Sequence, residues 1–316
     1  DGNTPLICAI RSNPRPLESS RVLLEADADV RAHGQFGWTA LHAVTRVEPL
    51  ADAVSLARLL LEKGAETAAK DQSGNTPLHL AVARRDGASL VELLLDSGAD
   101  IMARTVQRET PLHAAARIPD NGAMIRLLVK RGAAVNDYND GNTPLHVAAW
   151  MGQAGNVRTL LALEADHRVR GKVSESKTAL ETAVEVNSTE CVRALLENGA
   201  DVNTETYYHF KPFRYRENTQ TAAQKLVHGD ASRISFERMT PLHRAVTHGN
   251  REMVRLILAR KPRLNVDAHF GGYPLDFAVY LEHADIARDI HAAGGRMLFG
   301  DMYLTMFTEK INADIV

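Results

Sequence analysis

The side chains best able to do chemistry in this chain are its 13 histidines, its two cysteines and one cluster of aromatic and basic residues just past position 205. Histidine titrates near neutrality and is a common metal ligand, so a histidine-rich chain raises acid–base and metal chemistry first. Five of them, His42, His79, His113, His146 and His243, occupy one position of a recurring Thr-x-Leu-His string. Such regular recurrence points to a structural hydrogen bond. His248 and His269 have no cysteine or second histidine at ligand spacing, and no metal site is expected. Cys8 and Cys191 lie far apart in stretches that read as helix, which leaves neither a disulfide framework nor a paired-cysteine metal site. Gly171-Lys172 lacks the upstream glycine and following Ser or Thr of a phosphate loop, and no Gly-x-Ser-x-Gly or His-Glu-x-x-His string occurs. Catalysis by residues converging from distant sequence would have to draw on His209, Tyr215 and His228. No catalytic residue and no cofactor is expected.

The histidines are carried by a larger pattern. Thr-Pro-Leu-His stands intact at Thr76, Thr110, Thr143 and Thr240, and degenerate copies begin at Thr4, Thr39, Thr178 and Tyr273. Successive starts lie 33 to 37 residues apart, except for one step of 62. The intact copies read alike: a capping Thr, Pro at the first helical position where its missing N–H costs nothing, then a helix carrying small Ala residues. In the copy at Thr143, Ala148 and Ala149 permit close helix approach, Gly152 ends the helix, and a second apolar run spans Val157 to Leu163. Gly64, Gly98, Gly132 and Gly199 sit where second helices need a left-handed terminus. Turn residues such as Asn139-Asp140-Gly141-Asn142 then lead into the next copy.

This pattern resembles the ankyrin repeat, whose period is about 33 and whose signature is Thr-Pro-Leu-His-x-Ala. The resemblance implies an all-α solenoid of about eight helix-turn-helix repeats with projecting turns, one long insertion and a C-terminal capping helix. Its expected organisation is repeats one to six over 1–203, the first truncated or degenerate; an insertion over 204–238; repeats seven and eight over 239–295; and a cap or further segment over 296–316. The recurring histidine is then expected to bond within its turn and tie adjacent repeats together. Partners of such proteins contact the projecting turns and the end of each first helix. By slot, this implies Arg84, Arg117, Trp150, Met151, Glu185, His248 and Tyr280 on helices, and Phe36, Trp38, Gln72, Asn75, Gln107, Tyr138, Asn142 and Phe270 on turns. In repeat three, Arg85-Asp86-Gly87 adds a residue between the helices, which weakens the assignment of Arg84.

The step of 62 exceeds the 33-residue period by 29, and the surplus falls between Asn203 and Thr240, in a projecting turn. Its first part alternates Tyr207, Tyr208, Phe210, Phe213 and Tyr215 with Lys211, Arg214 and Arg216. One reading pins a long loop to the solenoid flank with its cationic heads in water. The other makes Tyr207, Tyr208, Phe210, Phe213, Arg214 and Tyr215 a recognition element, since Tyr and Arg are enriched at binding hot spots. Single-stranded nucleic acid is set aside, because Glu205 and Glu217 flank the cations and the net charge of −2 supplies no basic field. Thr219 to His228 reads as a short helix. Leu298, Met302 and Met306, beside Phe299, Tyr303, Phe307 and Ile311, form an amphipathic stripe that suits a cap over the last repeat.

A chain of 316 residues outgrows a single compact core unless it extends by stacking. No apolar run approaches a membrane span, and the cysteine usage fits a reducing compartment, so the cytoplasm is expected, with the nucleus as alternative. The chain opens inside a motif without Met, and an upstream segment is expected to be missing. The functional expectation is a module binding a protein or peptide along the concave groove from repeat two to repeat eight, gripped by the insertion. The alternative is an enzyme or ligand-binding pocket between the insertion and the groove.

Overall fold

The computed structural model describes residues 2–139, 141–171, 176–209, 236–268 and 272–298. The helix expected over Thr219 to His228 and the C-terminal helix from Phe299 onward lie outside the described residues. Among the described residues eight helical hairpins follow one another: α1 (Pro5–Ser12) with α2 (Pro16–Glu25), α3 (Ala40–Val44) with α4 (Leu50–Glu62), α5 (Pro77–Ala81) with α6 (Ala88–Asp96), and α7 (Pro111–Arg117) with α8 (Gly122–Lys130). Then come α9 (Pro144–Trp150) with α10 (Ala154–Ala162), α11 (Ala179–Glu185) with α12 (Thr189–Glu197), α13 (Pro241–Thr247) with α14 (Arg251–Leu258), and α15 (Pro274–Tyr280) with α16 (Ala284–Ala292). Repeat one, expected to be truncated or degenerate, forms both of its helices.

The motif explains the local structure. Thr39, Thr76, Thr110, Thr178 and Thr240 hold extended backbone and close a capping box with the residue three further on, so each first helix starts where its orphan N–H groups are satisfied. The motif leucines, Leu6, Leu41, Leu78, Leu112, Leu145, Leu180, Leu242 and Leu275, are all buried. Each removes about 1.5–3 kcal/mol of apolar exposure from water. First helices pack on first helices and second on second: α1 on α3 and α2 on α4, and likewise α11 on α13 and α12 on α14. Second helices end on Gly64, Gly98, Gly132 and Gly199 at φ of 90°, 85°, 101° and 83°, the conformation expected of them.

The chain divides into two compact units. The first comprises residues up to Ala148 with Gly155–Ala165, and the second comprises Ala149–Ala154 with the residues from Asp166 onward. The second unit carries a feature absent from the all-α expectation. The two ends of the insertion, β1 (Thr206–His209) and β2 (Phe236–Met239), pair as an antiparallel ribbon in which Thr206 faces Met239 and His209 faces Phe236. In the same unit Arg251 and Arg255 both fork onto Asp289, with Nε to Oδ2 at 2.7 and 2.9 Å, joining α14 to α16. The bond from Arg251, together with that from Arg255, holds the Asp289 carboxyl down at about 2.

Candidate partner-binding surface

The recurring histidines are consumed by architecture. The backbone N–H of the capping Thr donates to histidine Nδ1, at 3.1 Å for His42, 3.2 Å for His79 and His243, and 3.3 Å for His113 and His146. Nδ1 is therefore the acceptor nitrogen, and Nε2–H donates to a carbonyl of the following repeat: Asn75 at 3.0 Å from His42, Glu109 at 3.1 Å from His79, Asn142 at 3.1 Å from His113, and Gly272 at 3.4 Å from His243. Burial lowers the pKa of His42 and His79 and drives His113 and His243 down to about 4, against a smaller upward pull from the carbonyls. These imidazoles are neutral ties between repeats.

Two repeats place a carboxylate in that slot, and each takes a donor in place of a carbonyl. Glu181 accepts the Thr178 N–H at 2.6 Å and, with its other oxygen, the buried Thr206 hydroxyl at the root of the ribbon. Asp276 accepts the Tyr273 N–H at 2.8 Å and the Leu298 N–H at 2.9 Å. A carboxylate can only accept, so it fits where the chain beyond offers an N–H or O–H.

A second pattern concerns the ends of the first helices in repeats two, four and six. There the residue before the capping position meets the residue seven after it. Glu109 pairs with Arg117 in repeat four, and Lys177 with Glu185 at 2.5 Å in repeat six. In repeat two the same two positions hold Trp38 and Arg46, whose guanidinium carbon lies 5.8 Å from the ring centroid. Arg11, which occupies the matching slot of repeat one, lies 5.6 Å from that centroid, and the ring stacks on His42 at 6.5 Å. Trp38 is thus half-buried beneath two exposed arginines, while Arg117 and Glu185 are each held by a partner within their own repeat. Sequence reasoning missed Arg11 and Arg46, although both fall in the slot that had singled out Arg117 and Trp150.

Other expected residues are distributed unevenly. Trp150 is 56% exposed at the end of α9, and Phe36 is 58% exposed at a turn tip. Phe36 also has φ of 60°, which a bulky aromatic seldom adopts. Gln72 and Gln107 are exposed on neighbouring tips, which bond to one another through Gln72 N–H to Phe36 O at 2.9 Å and Val106 N–H to Ser73 O at 3.0 Å. Val106, not singled out from sequence, is 63% exposed there. Asn75, Tyr138, Asn142, Met151, His248 and Tyr280 are half-buried. Burial, helped by Arg244, pushes the His248 imidazole below its usual range. Arg84 is a correction: its side chain is 8% exposed and donates to the carbonyls of Thr45 at 3.0 Å and Val47 at 2.7 Å, so it caps the end of α3 and is not a groove residue. Tyr207, Tyr208 and His209 lie on β1, while Phe210, Phe213, Arg214, Tyr215, His228 and Phe270 lie outside the described residues.

Comparison with known proteins matches this architecture. A family model of three consecutive ankyrin repeats matches residues 17–105 and 83–171, and a single-repeat model matches 176–207 and 237–269, on either side of the insertion. Cyclin-dependent kinase 4 inhibitor B of Rattus norvegicus is 33% identical over 126 residues, which are 38% of this chain and 95% of that protein. The chain belongs to the ankyrin-repeat family. These ankyrin repeats are also similar to a transient receptor potential cation channel subfamily A member 1 homolog of Caenorhabditis elegans, 30% identical over 161 residues. That match covers 49% of this chain and 13% of the channel homolog, so the chain spans a small part of that relative. Cyclin-dependent kinase inhibitor 2A of Homo sapiens is 33% identical over 122 residues, 37% of this chain and 77% of the relative. Ankyrin repeats indicate a protein–protein interaction module. Among the described residues no helix is long and apolar enough to cross a membrane, and no group of three His, Cys, Asp or Glu side chains could hold a metal.

Proposed function

We propose that this chain binds a protein or peptide partner through the ends of its first helices and its projecting turns, with the aromatic insertion adding specificity. The observation that carries this reading is Trp150. A large aromatic side chain left 56% exposed, on a helix whose Leu145, Ala148 and Ala149 are buried, is a residue type and setting favoured at binding hot spots. Phe36 on a turn tip supports the same reading. The cytoplasm and nucleus suit an array with one buried and one exposed free cysteine. The pocket alternative gains no support from the recess lined by Glu181, Val184, Thr206, Met239, Thr240, Pro241 and Arg244 at the root of the ribbon, which has no room for a water-sized group.

The test is partner capture with the intact chain, followed by titration of the captured partner against Trp150→Ala. Truncating an exposed ring should leave the melting temperature nearly unchanged and weaken binding about tenfold, the loss of a hot spot worth some 1.4 kcal/mol. Equal affinity of the variant and the parent would remove Trp150 from the binding surface.

A further inference from the structure

The corner formed by repeats one and two holds three side chains of the types most enriched at hot spots. Trp38 lies with its ring against His42, and the guanidinium carbons of Arg11 and Arg46 stand 5.6 and 5.8 Å from its centroid. Both arginines are exposed, and among the described residues neither enters an ion pair. The equivalent positions of repeats four and six hold Glu109 with Arg117 and Lys177 with Glu185, each charge met by its opposite within the repeat. Repeat two departs from that rule: an aromatic face orients the cations but accepts none of their N–H bonds. Two oriented forks with free donors over an apolar platform match a carboxylate, which takes paired N–H bonds from guanidinium.

We infer that Arg11, Trp38 and Arg46 form a docking point for an acidic side chain, Asp or Glu, of a partner peptide. This deepens the binding reading above and rests on it. An isolated pair of cations on a chain of net charge −2 is too small a field to track a nucleic-acid backbone, which draws on many phosphate contacts.

The chain's two tryptophans are Trp38 and Trp150, so a Trp150→Phe variant, read with peptides whose affinity for it matches that for the parent, makes Trp38 emission a reporter of this corner alone. A random peptide library displayed on phage is selected on the intact chain, and the enriched peptides are synthesised and titrated. The expected result is a shared Asp or Glu, a change in Trp38 emission on binding, and at least a tenfold loss of affinity in Arg11→Gln/Arg46→Gln with an unchanged melting temperature. In a second arm, Arg46→Glu should lose the acidic peptide and regain affinity when its carboxylate residue is exchanged for Lys. Enriched peptides that lack acidic residues, or that bind the double variant as tightly as the parent, overturn this inference and leave the binding-module reading standing. Failure to enrich any peptide counts against both. A single-stranded oligonucleotide titrated in parallel, binding through the same arginines where acidic peptides do not, overturns it in favour of phosphate recognition.

Discussion

A buried imidazole that accepts at one nitrogen and donates from the other has no place for a second proton. His113 and His243 meet that condition, and burial holds both at about 4. In the unfolded chain they would take up a proton near pH 6.5. Between those values the unfolded state binds more protons, so stability falls as pH falls, and the contribution of neutral histidine is fully present above 6.5. The gap corresponds to roughly 3 kcal/mol per histidine by pH 4. The expected outcome is a urea midpoint that drops between pH 7 and pH 5. His113→Gln, which keeps one acceptor and one donor without the titration, should flatten that slope. A variant profile superimposable on the parent's would assign the acid sensitivity elsewhere. At the same scale, Trp38 contrasts with the histidine beneath it: His42 is spent on Thr39 and Asn75, while the ring and its two guanidinium neighbours face outward with bonds still to make.

The projecting turns that lead into repeats two, three and four act as elements because each bonds to the next, through Gln72 N–H to Phe36 O and Val106 N–H to Ser73 O. Gly74 has φ of 77°, and a Cβ there would stand 2.7 Å from the Val106 nitrogen, whereas a Cβ on Gly98, at φ of 85°, would meet nothing within 4 Å. Gly98→Ala therefore carries the left-handed strain alone, about 1 kcal/mol. Gly74→Ala carries that strain and also forces two turns apart, and should cost about 2–3 kcal/mol by thermal or urea unfolding. Equal losses would mean that the turns shift freely past one another. The helices and their glycine ends were readable from sequence because each is specified by neighbours in the chain: Thr76 and Pro77 start α5, and Gly98 closes α6. What could not be read depends on contacts between repeats. Arg84 reaches back to Thr45 and Val47 across more than thirty residues. β1 meets β2 only through their mutual pairing, and no local period announces it. Arg11 and Trp38 belong to different repeats, so their slots were visible while their meeting was not.

At the scale of the molecule, stability in such arrays comes from each repeat closing on its neighbour, and the closing groups must match. Asn121 donates to the Val82 carbonyl at 3.1 Å and Asn156 to the Ile118 carbonyl at 2.7 Å, which ties second helices to the preceding repeat inside the first unit. In the second unit the tie changes its polarity at Glu181, which needs a donor and finds the Thr206 hydroxyl. At His42, His79, His113, Glu181, His243 and Asp276 the order of repeats is therefore a grammar, with the motif's fourth residue stating what must come next. Excising the 29 residues 206–234, which restores a 33-residue step between Thr178 and Thr240, would set the buried Glu181 carboxylate against a backbone carbonyl, an arrangement that costs several kcal/mol. Such a splice should fold poorly with Glu181 in place and recover when Glu181→His restores an N–H at that point, as thermal melts of the two spliced chains would reveal. Seen this way, the inserted segment is written into the repeat before it: a carboxylate at position 181 is matched by a hydroxyl donor 25 positions downstream, at Thr206.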